Sequence, residues 1–121
     1  MATDYRKLVG QQGEDLVAQT LLNQGFVIAE RNYRKHYGEI DIIARKKNLV
    51  LFVEVKRRAH AYIQLEELVT PSKQRKIIMV ARSYIAKHQL TDHDFRFDIA
   101  LIYRETLTYL ENAFTEGDHY D

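Results

Sequence analysis

The sequence predicts one α/β domain, with elements in the order αβββαβ and helices packed on a mixed central sheet. Three features predict it: two amphipathic helical segments, a run of apolar strands between them, and an alternating strand after the second helix. The chain has 121 residues, 45% of them hydrophobic, which suffices for one sheet with flanking helices but not for a second core. We therefore expect a single domain over residues 1–111 and a flexible acidic tail over residues 112–121.

The first helix is predicted over about residues 4–24, where small and apolar residues recur on one face and Gly25 can end the helix. Glu14 lies beside that face. The face consists of Val9, Gly13, Leu16, Val17, Thr20 and Leu21. A short strand is predicted over residues 26–29, and a polar connection over residues 31–38 leads to a second strand over residues 39–44.

The third strand, residues 49–56, is rich in β-branched and aromatic residues, which is typical of a strand buried on both faces. A two-residue turn at Lys47 and Asn48 joins it to the second strand as a hairpin. In such a hairpin the numbers of opposed residues sum to 95, so Asp41 faces Glu54. Lys56 projects from the same face because strand side chains repeat with period two. We expect two carboxylates and one ammonium group to converge there.

The second helix is predicted to begin at Thr70-Pro71, an N-cap residue followed by proline in the first turn. Gln74 lies on its inward face, one turn before a stripe of apolar residues. That stripe consists of Ile77, Ile78, Ala81, Tyr84, Ile85 and His88. An alternating strand follows over residues 95–103, and the right-handed crossover rule makes it parallel to the third strand. Residues 106–110 are predicted to form a hairpin partner or an edge strand.

Composition excludes several classes of protein. The chain has no cysteine, so it has no disulfide framework, thiolate metal site or nucleophilic thiol. It shows no apolar signal segment and no run of the ~20 apolar residues that cross a bilayer. We expect a cytoplasmic protein with no membrane partner and no organic cofactor. The 18 basic and 17 acidic side chains nearly cancel, so binding to a polyanion depends on where the charges lie.

The opposed Asp41 and Glu54 repel each other unless a positive charge lies between them. A divalent cation meets that need, and a set of oxygen ligands favours Mg²⁺ or Mn²⁺ over zinc. With Lys56 beside it, such an ion suits phosphodiester hydrolysis. Glu14 could complete the metal shell or hold a second ion. An exposed charged face or a structural salt bridge is the alternative interpretation of the three strand residues.

Five short motifs are spread over nearly the whole chain: Gly13-Glu14, Asn32-Tyr33-Arg34, Gly38-Glu39-Ile40-Asp41-Ile42-Ile43-Ala44, Phe52-Val53-Glu54-Val55-Lys56 and Val69-Thr70-Pro71-Ser72-Lys73-Gln74-Arg75. Together they resemble the YraN family of small bacterial proteins. The resemblance implies the restriction-endonuclease-like fold of the PD-(D/E)XK superfamily. It also implies similarity to archaeal Holliday-junction resolvases, whose Asp, Glu-x-Lys and helical Glu bind metal and cleave DNA.

Carried over by position, the resemblance implies an active site of Glu14, Asp41, Glu54 and Lys56, with Mg²⁺ or Mn²⁺ as cofactor and DNA as partner. Asp41, Glu54 and the backbone carbonyl of Val55 would ligate the ion, with Glu14 as a further ligand. Lys56 would orient the attacking water. Since the archaeal resolvases of similar fold are dimers, a homodimer is one arrangement that the resemblance implies.

Gln74 matches a Lys-Gln pair of the family, which implies that it holds Lys56 or touches a phosphate. The alternative is an ordinary polar residue near a helix start. Basic residues around the predicted site are expected to contact a phosphate backbone. They are Arg31, Arg34, Lys35, Arg57, Arg58, Lys73, Arg75 and Lys76.

The main functional prediction is a metal-dependent endonuclease that acts on DNA, with selectivity for junctions or branched DNA in repair or recombination. A catalytically weak nucleic-acid-binding subunit of a DNA-processing complex is the first alternative. A metal hydrolase that acts on a small phosphorylated substrate is the second alternative. The spread of basic residues disfavours the second alternative, because it suits a long backbone better than a single phosphate.

Overall fold

A computed structural model describes residues 5–59 and 64–119, with side chains from residue 10 onward. Its elements are α1 Tyr5–Asn23, β1 Val27–Lys35, β2 Gly38–Lys46, β3 Leu49–Arg57, α2 Leu65–Leu68, α3 Pro71–Lys87, β4 Asp94–Tyr103, β5 Thr106–Phe114 and a 3-10 helix over Glu116–His119. The strands form one sheet in the order β1-β2-β3-β4-β5. β3 and β4 are parallel and the other neighbouring strands are antiparallel. The predicted mixed sheet is confirmed.

Apolar clusters cover both faces of this sheet. One cluster packs α3 against the sheet, and the inward stripe predicted for that helix is confirmed at Ile77 and Tyr84. The other packs α1 against the sheet through Val17 and Leu21. Leu16 differs from its prediction because it is 40% exposed, at the border of the covered face. The side chain of Val9, also predicted to face inward, lies outside the described residues.

β1 is longer than the sequence indicates. The segment predicted as a polar connection pairs with β2 as far as Lys35↔Gly38, which leaves His36 and Tyr37 as the turn. Charged residues such as Arg34 hide the strand pattern, but they are compatible with an edge strand that faces water.

The end of the chain also differs from its prediction. Within the expected tail, β5 continues to Phe114 and a 3-10 helix follows over Glu116–His119, so regular structure extends beyond residue 111. Phe114 is buried, and its ring stacks on Phe97 with 5.1 Å between centroids. One buried aromatic ring therefore anchors a segment that has no regular apolar pattern. Residues 120–121 lie outside the described part of the chain.

The two edge strands are irregular. The β1–β2 register shifts between Ile28 and Glu30, and the β4–β5 register shifts between Phe97 and Ile99. Each edge strand also contains an exposed asparagine in the left-handed region, namely Asn32 in β1 (φ 53°) and Asn112 in β5 (φ 52°). Asparagine tolerates that conformation better than most residues with a side chain.

Asp98 of β4 is a buried acid that the sequence does not single out. Its carboxylate accepts hydrogen bonds from the Arg96 guanidinium, from the Tyr109 hydroxyl at 2.6 Å and from the Asn112 N–H at 2.8 Å. The register shift in β5 presents that N–H to Asp98, so the acid replaces main-chain pairing there.

In the described part of the chain, none of the helices combines the length and apolar character needed to span a bilayer.

Candidate active site

The β2–β3 hairpin has the predicted register, with pairs from Lys46↔Leu49 to Ile42↔Val53. The two-residue turn makes Lys46–Leu49 a hydrogen-bonded pair, and by alternation Ile42–Val53 is also one. The next such pair would involve Val55, but the ladder stops before it. The two strands therefore separate at Asp41.

Asp41 fills the gap between the strands. Its Oδ2 accepts a hydrogen bond of 2.7 Å from the backbone N–H of Val55, in place of a main-chain carbonyl. The N–H and C=O of one residue point to the same side of a strand, so the Val55 carbonyl also faces β2. A carboxylate and a backbone carbonyl thus share the gap.

Glu54 lies next to Asp41 and is unusually hard to ionise. Burial, a hydrogen bond to Asp41 and the charge of Asp41 raise the pKa of Glu54 to about 9, while Lys56 acts in the opposite direction. Glu54 is therefore protonated at neutral pH.

A cavity of about 380 Å³ opens from this pair toward α3. Residues from β2, β3 and α3 line it: Tyr37, Gly38, Glu39, Asp41, Glu54, Val55, Lys56, Lys73, Lys76 and Ile77. Gly38 allows the hairpin tip to approach α3 closely, because a Cβ there would lie 3.3 Å from Val80 Cγ2. The Tyr37 hydroxyl is hydrogen-bonded to Ser83 of the same helix. Three lysines therefore line the cavity into which the acid pair opens.

A smaller cavity of about 120 Å³ lies on the α1 side. It is lined by Gly10, Gly13, Glu14, Asp41, Val55, Arg57 and Ile102, so Asp41 and Val55 border both cavities. Burial, followed by the charge of Asp41, raises the pKa of Glu14. Glu14 Oε1 is buried and has no hydrogen-bond partner among the described residues.

The structure brings Asp41, Glu54, Val55 and Lys56 together, as the sequence predicts. Glu14 reaches only the other side of Asp41. Within residues 5–59 and 64–119, no three acidic or histidine side chains are grouped closely enough to hold an ion. Glu54 and Glu14 line different cavities, and Asp41 borders both of them.

Gln74 is not part of this cluster. Its Nε2 donates to the Val69 carbonyl at 2.9 Å, and its Oε1 lies 2.9 Å from His119 Nε2. It lines a separate cavity between the start of α3 and the 3-10 helix. The expectation that Gln74 contacts Lys56 is thus corrected, because both ends of its amide are bonded elsewhere.

The predicted basic residues are distributed over several places. Lys73 and Lys76 line the larger cavity, and Arg57 lines the smaller one. Arg31 pairs with Asp15 at 2.7 Å, and Arg34 pairs with Glu39 at 2.9 Å. Arg58 donates to the Arg57 carbonyl, and Lys35 lies over the Tyr33 ring. Arg75 lines the cavity that contains Gln74. Lys73 and Lys76 are therefore the predicted phosphate contacts best placed near the acid pair.

Glu39 is a site residue that the sequence interpretation missed. It lines the larger cavity, and its charge contributes to the raised pKa values of Glu54 and Glu14. Its position two residues before Asp41 on the same strand is the signal that could have found it.

A family model described as "Uncharacterised protein family UPF0102" matches residues 13–102. This range includes the acidic cluster of Glu14, Asp41 and Glu54. The chain is 42% identical over 112 residues to a UPF0102 protein of Alkaliphilus metalliredigens, covering 89% of this chain and 98% of the relative. It is 42% identical over 115 residues to a UPF0102 protein of Dictyoglomus turgidum, with the same coverage of 89% and 98%.

Among solved structures, the chain is similar to Archaeoglobus fulgidus Hjc, described as a Holliday junction resolvase from an archaeal hyperthermophile. The TM-score is 0.54 and the sequence identity is 18%, over 81% of this chain and 72% of Hjc. This similarity shows a shared fold. The restriction-endonuclease-like architecture expected from the sequence is thereby confirmed.

Proposed function

The chain belongs to the protein family UPF0102, and from that membership, its fold and its acidic cluster we propose that it is a divalent-metal-dependent nuclease acting on DNA. One observation carries the proposal. Where the β2–β3 ladder stops, Asp41 and Glu54 form a half-buried acid pair beside Lys56. An acid with a strongly raised pKa, in a cavity that lysines also line, is typical of a functional site.

The donor set fits Mg²⁺ or Mn²⁺. Asp41, Glu54 and the Val55 carbonyl offer oxygen ligands only, and Mg²⁺ is commonly held by one or two carboxylates while it keeps several waters. The unpartnered Oε1 of Glu14, at the smaller cavity beside Asp41, would accept a hydrogen bond from such a water. When bound, the ion would lower the pKa of a bound water and neutralise charge on a phosphoryl oxygen.

The lysines would bind and orient the DNA. Lys56 is close enough to Glu54 to oppose the rise of its pKa, so its ammonium group would lie beside the attacked phosphate. There it would orient the nucleophilic water and stabilise the charge of the transition state. Lys73 and Lys76, on the α3 wall of the same cavity, would hold backbone phosphates.

The proposal is tested by incubating the protein with labelled linear duplex, single-stranded and four-way-junction DNA, with Mg²⁺, Mn²⁺ or EDTA. We expect metal-dependent cuts, with the junction preferred. D41N, E54Q and K56M should each reduce the rate by about 100-fold or more, because each removes a group that acts on the reacting phosphate. Glu54→Gln suits this test because an amide mimics the protonated carboxyl without changing its size.

Matched controls come from exposed positions away from the site. E105Q in the β4–β5 turn and K87M in the last turn of α3 should cut at the wild-type rate. Salt-sensitive binding without cuts would contradict the nuclease and favour a nucleic-acid-binding subunit. Cleavage of a small phosphate ester, but not of DNA, would favour the small-substrate hydrolase.

Metal binding can be measured without cleavage. At an Mn²⁺ concentration 100 times the dissociation constant, a site present only in the folded chain stabilises it by about 2.7 kcal/mol. Thermal unfolding should therefore shift upward with Mn²⁺ for wild type and E105Q. The shift should be lost for D41N and strongly reduced for E54Q. An equal shift in all four proteins would contradict metal binding at the acid pair.

A further inference from the structure

At the level of Asp41, the side chains of β1 and β2 stop alternating regularly between the two faces of the sheet. Side chains two residues apart in a strand normally point to the same face of a sheet. Ile42, however, packs in the α1 cluster, whereas Ile40 packs in the α3 cluster. The neighbouring strand changes face at the same level, since Arg31 pairs with Asp15 of α1 while Tyr33 contacts Tyr84 of α3.

The pairs Arg31↔Ile42 and Tyr33↔Ile40 enclose this change, and Asn32 lies between them on β1. Asn32 has φ 53°, a left-handed conformation that reverses the alternation of an extended strand. Its side chain is exposed, so the residue affects the hairpin through its backbone conformation and not through core packing. Directly across the hairpin from it is Asp41.

We propose that Asn32 is a positioning residue for Asp41: its left-handed backbone turns the hairpin so that the Asp41 carboxylate lies in the β2–β3 gap. There the carboxylate bonds to the Val55 N–H at 2.7 Å and borders both cavities. With regular alternation it would point toward the α3 face, as Ile43 does. The catalytic part of this inference rests on the proposed nuclease function.

The test uses the full chain and three variants. Asn32→Val disfavours a positive φ, because a branched Cβ is strained there, whereas Asn32→Gly keeps the conformation without a side chain. The matched control is Asn112→Val, at an exposed asparagine with φ 52° in the opposite edge strand. Both valine variants should lose similar stability. Only Asn32→Val should move Asp41.

The first readout is amide hydrogen exchange in metal-free protein, measured as the exchange rate of Val55 relative to that of Leu51. Leu51 lies in the paired part of β3, so the ratio removes any general loss of stability. We expect Asn32→Val to raise the ratio by about tenfold or more, since an N–H without a partner exchanges faster. Asn32→Gly and Asn112→Val should leave it unchanged.

The second readout is DNA cleavage. Asn32→Val should lower kcat by about 100-fold with KM little changed, because a displaced reacting group slows the chemical step. Asn32→Gly should restore the wild-type rate, and Asn112→Val should retain it. If Asn32→Val does not fold, Asn32→Ala, which imposes the same preference more weakly, takes its place.

The outcomes distinguish this inference from the function on which it rests. An unchanged exchange ratio in Asn32→Val overturns the inference, as does an equal rise in Asn32→Gly or in Asn112→Val. If wild type cuts no DNA with either metal, the nuclease proposal fails, and the exchange ratio alone decides whether Asn32 positions Asp41.

Discussion

The acid–base chemistry of Glu54 depends strongly on the fold. Its ordinary pKa of 4.5 is raised to about 9 in the folded chain, first by burial and then by Asp41. Between these two pH values the folded chain binds a proton that the unfolded chain has already released. Stability from this group is therefore fully present below pH 4.5 and is lost as the pH rises toward 9.

A pH-dependent stability follows. In metal-free protein, the free energy of unfolding should fall between about pH 5 and about pH 8, because only the unfolded chain deprotonates Glu54 over this interval. E54Q should flatten this dependence, since an amide does not titrate. Urea unfolding of wild type and E54Q at about pH 5 and about pH 8 measures the pH dependence of each protein's free energy of unfolding. E105Q serves as the control, and equal slopes in wild type and E54Q would show that the Glu54 pKa is not raised.

Asp98 is a structural acid, in contrast to Glu54. Asp98→Ala removes the acceptor for Arg96, Tyr109 and the Asn112 N–H together. We expect a loss of about 3 kcal/mol in the free energy of unfolding, because a buried carboxylate is deleted and the partly buried Arg96 loses its partner. Urea unfolding measures it. The exposed Asp92, whose carboxylate contacts its neighbour His93 at 2.8 Å, supplies the control D92A. Equal losses would contradict the structural role.

At this scale, the sequence predicts contacts within one hairpin better than contacts between distant segments. Hairpin arithmetic brings Asp41 near Glu54 and Lys56, although the ladder itself stops at Ile42↔Val53. The contact between Gln74 and His119 joins residues 45 positions apart, and no local sequence pattern predicts it. The buried role of Asp98 depends on a register shift in β5, which leaves no signal in a single sequence.

Among the elements, α1 can pack closely against the sheet because residue 13 is glycine. A Cβ at this position would lie 3.0 Å from Ile102 Cδ1 and 3.9 Å from Val55 Cγ1. Gly10, one turn earlier on the same helix, has no described atom within 4 Å of its own Cβ position. The glycine at position 13 therefore allows the close approach that brings Glu14 beside Asp41.

The two glycines make a matched pair of substitutions. Gly13→Val should lower the free energy of unfolding by about 2 kcal/mol through overpacking and should slow DNA cleavage by moving Glu14. Gly10→Val should raise stability by a few tenths of a kcal/mol, because valine is the better helix former. Thermal or urea unfolding and the cleavage assay measure both effects. Equal stability of the two variants would contradict a tight α1–sheet contact.

Prediction of whole elements succeeds where periodicity is strong. α3 was predictable from its Thr70 cap, Pro71 and apolar stripe, and Thr70 does accept a hydrogen bond from the Lys73 N–H. The second half of β1 was not, because an edge strand needs no apolar side chains where it faces water. The end of β5 was missed because the irregular pairing around Asn112 interrupts alternation.

For the molecule as a whole, attraction to DNA depends on where the charges lie and not on the net charge. The formal net charge is only +1, so attraction to DNA would come from the lysines around the larger cavity. Arg31 and Arg34 are each paired with an acid, which weakens their attraction to phosphate. Binding should therefore depend on a small number of phosphate contacts.

The salt dependence of DNA binding tests this view. Contacts from Lys56, Lys73 and Lys76 predict a slope of log K against log salt concentration of about −3, at about −0.9 per phosphate. The double variant K73Q/K76Q should make the slope shallower by about 2. Fluorescence anisotropy over a range of salt concentrations measures it. K87Q, at the far end of α3, should not change the slope, and a slope equally shallow in K87Q would contradict a local binding surface.

The irregular edge strands have a consequence for self-association. A straight, apolar strand at the margin of a sheet is a template on which another chain can add a strand and aggregate. Here both margins carry a register shift and a left-handed asparagine, and β1 adds the charges of Arg34 and Lys35. Neither margin offers a continuous row of free N–H and C=O groups. Association of two copies through a shared sheet is therefore disfavoured.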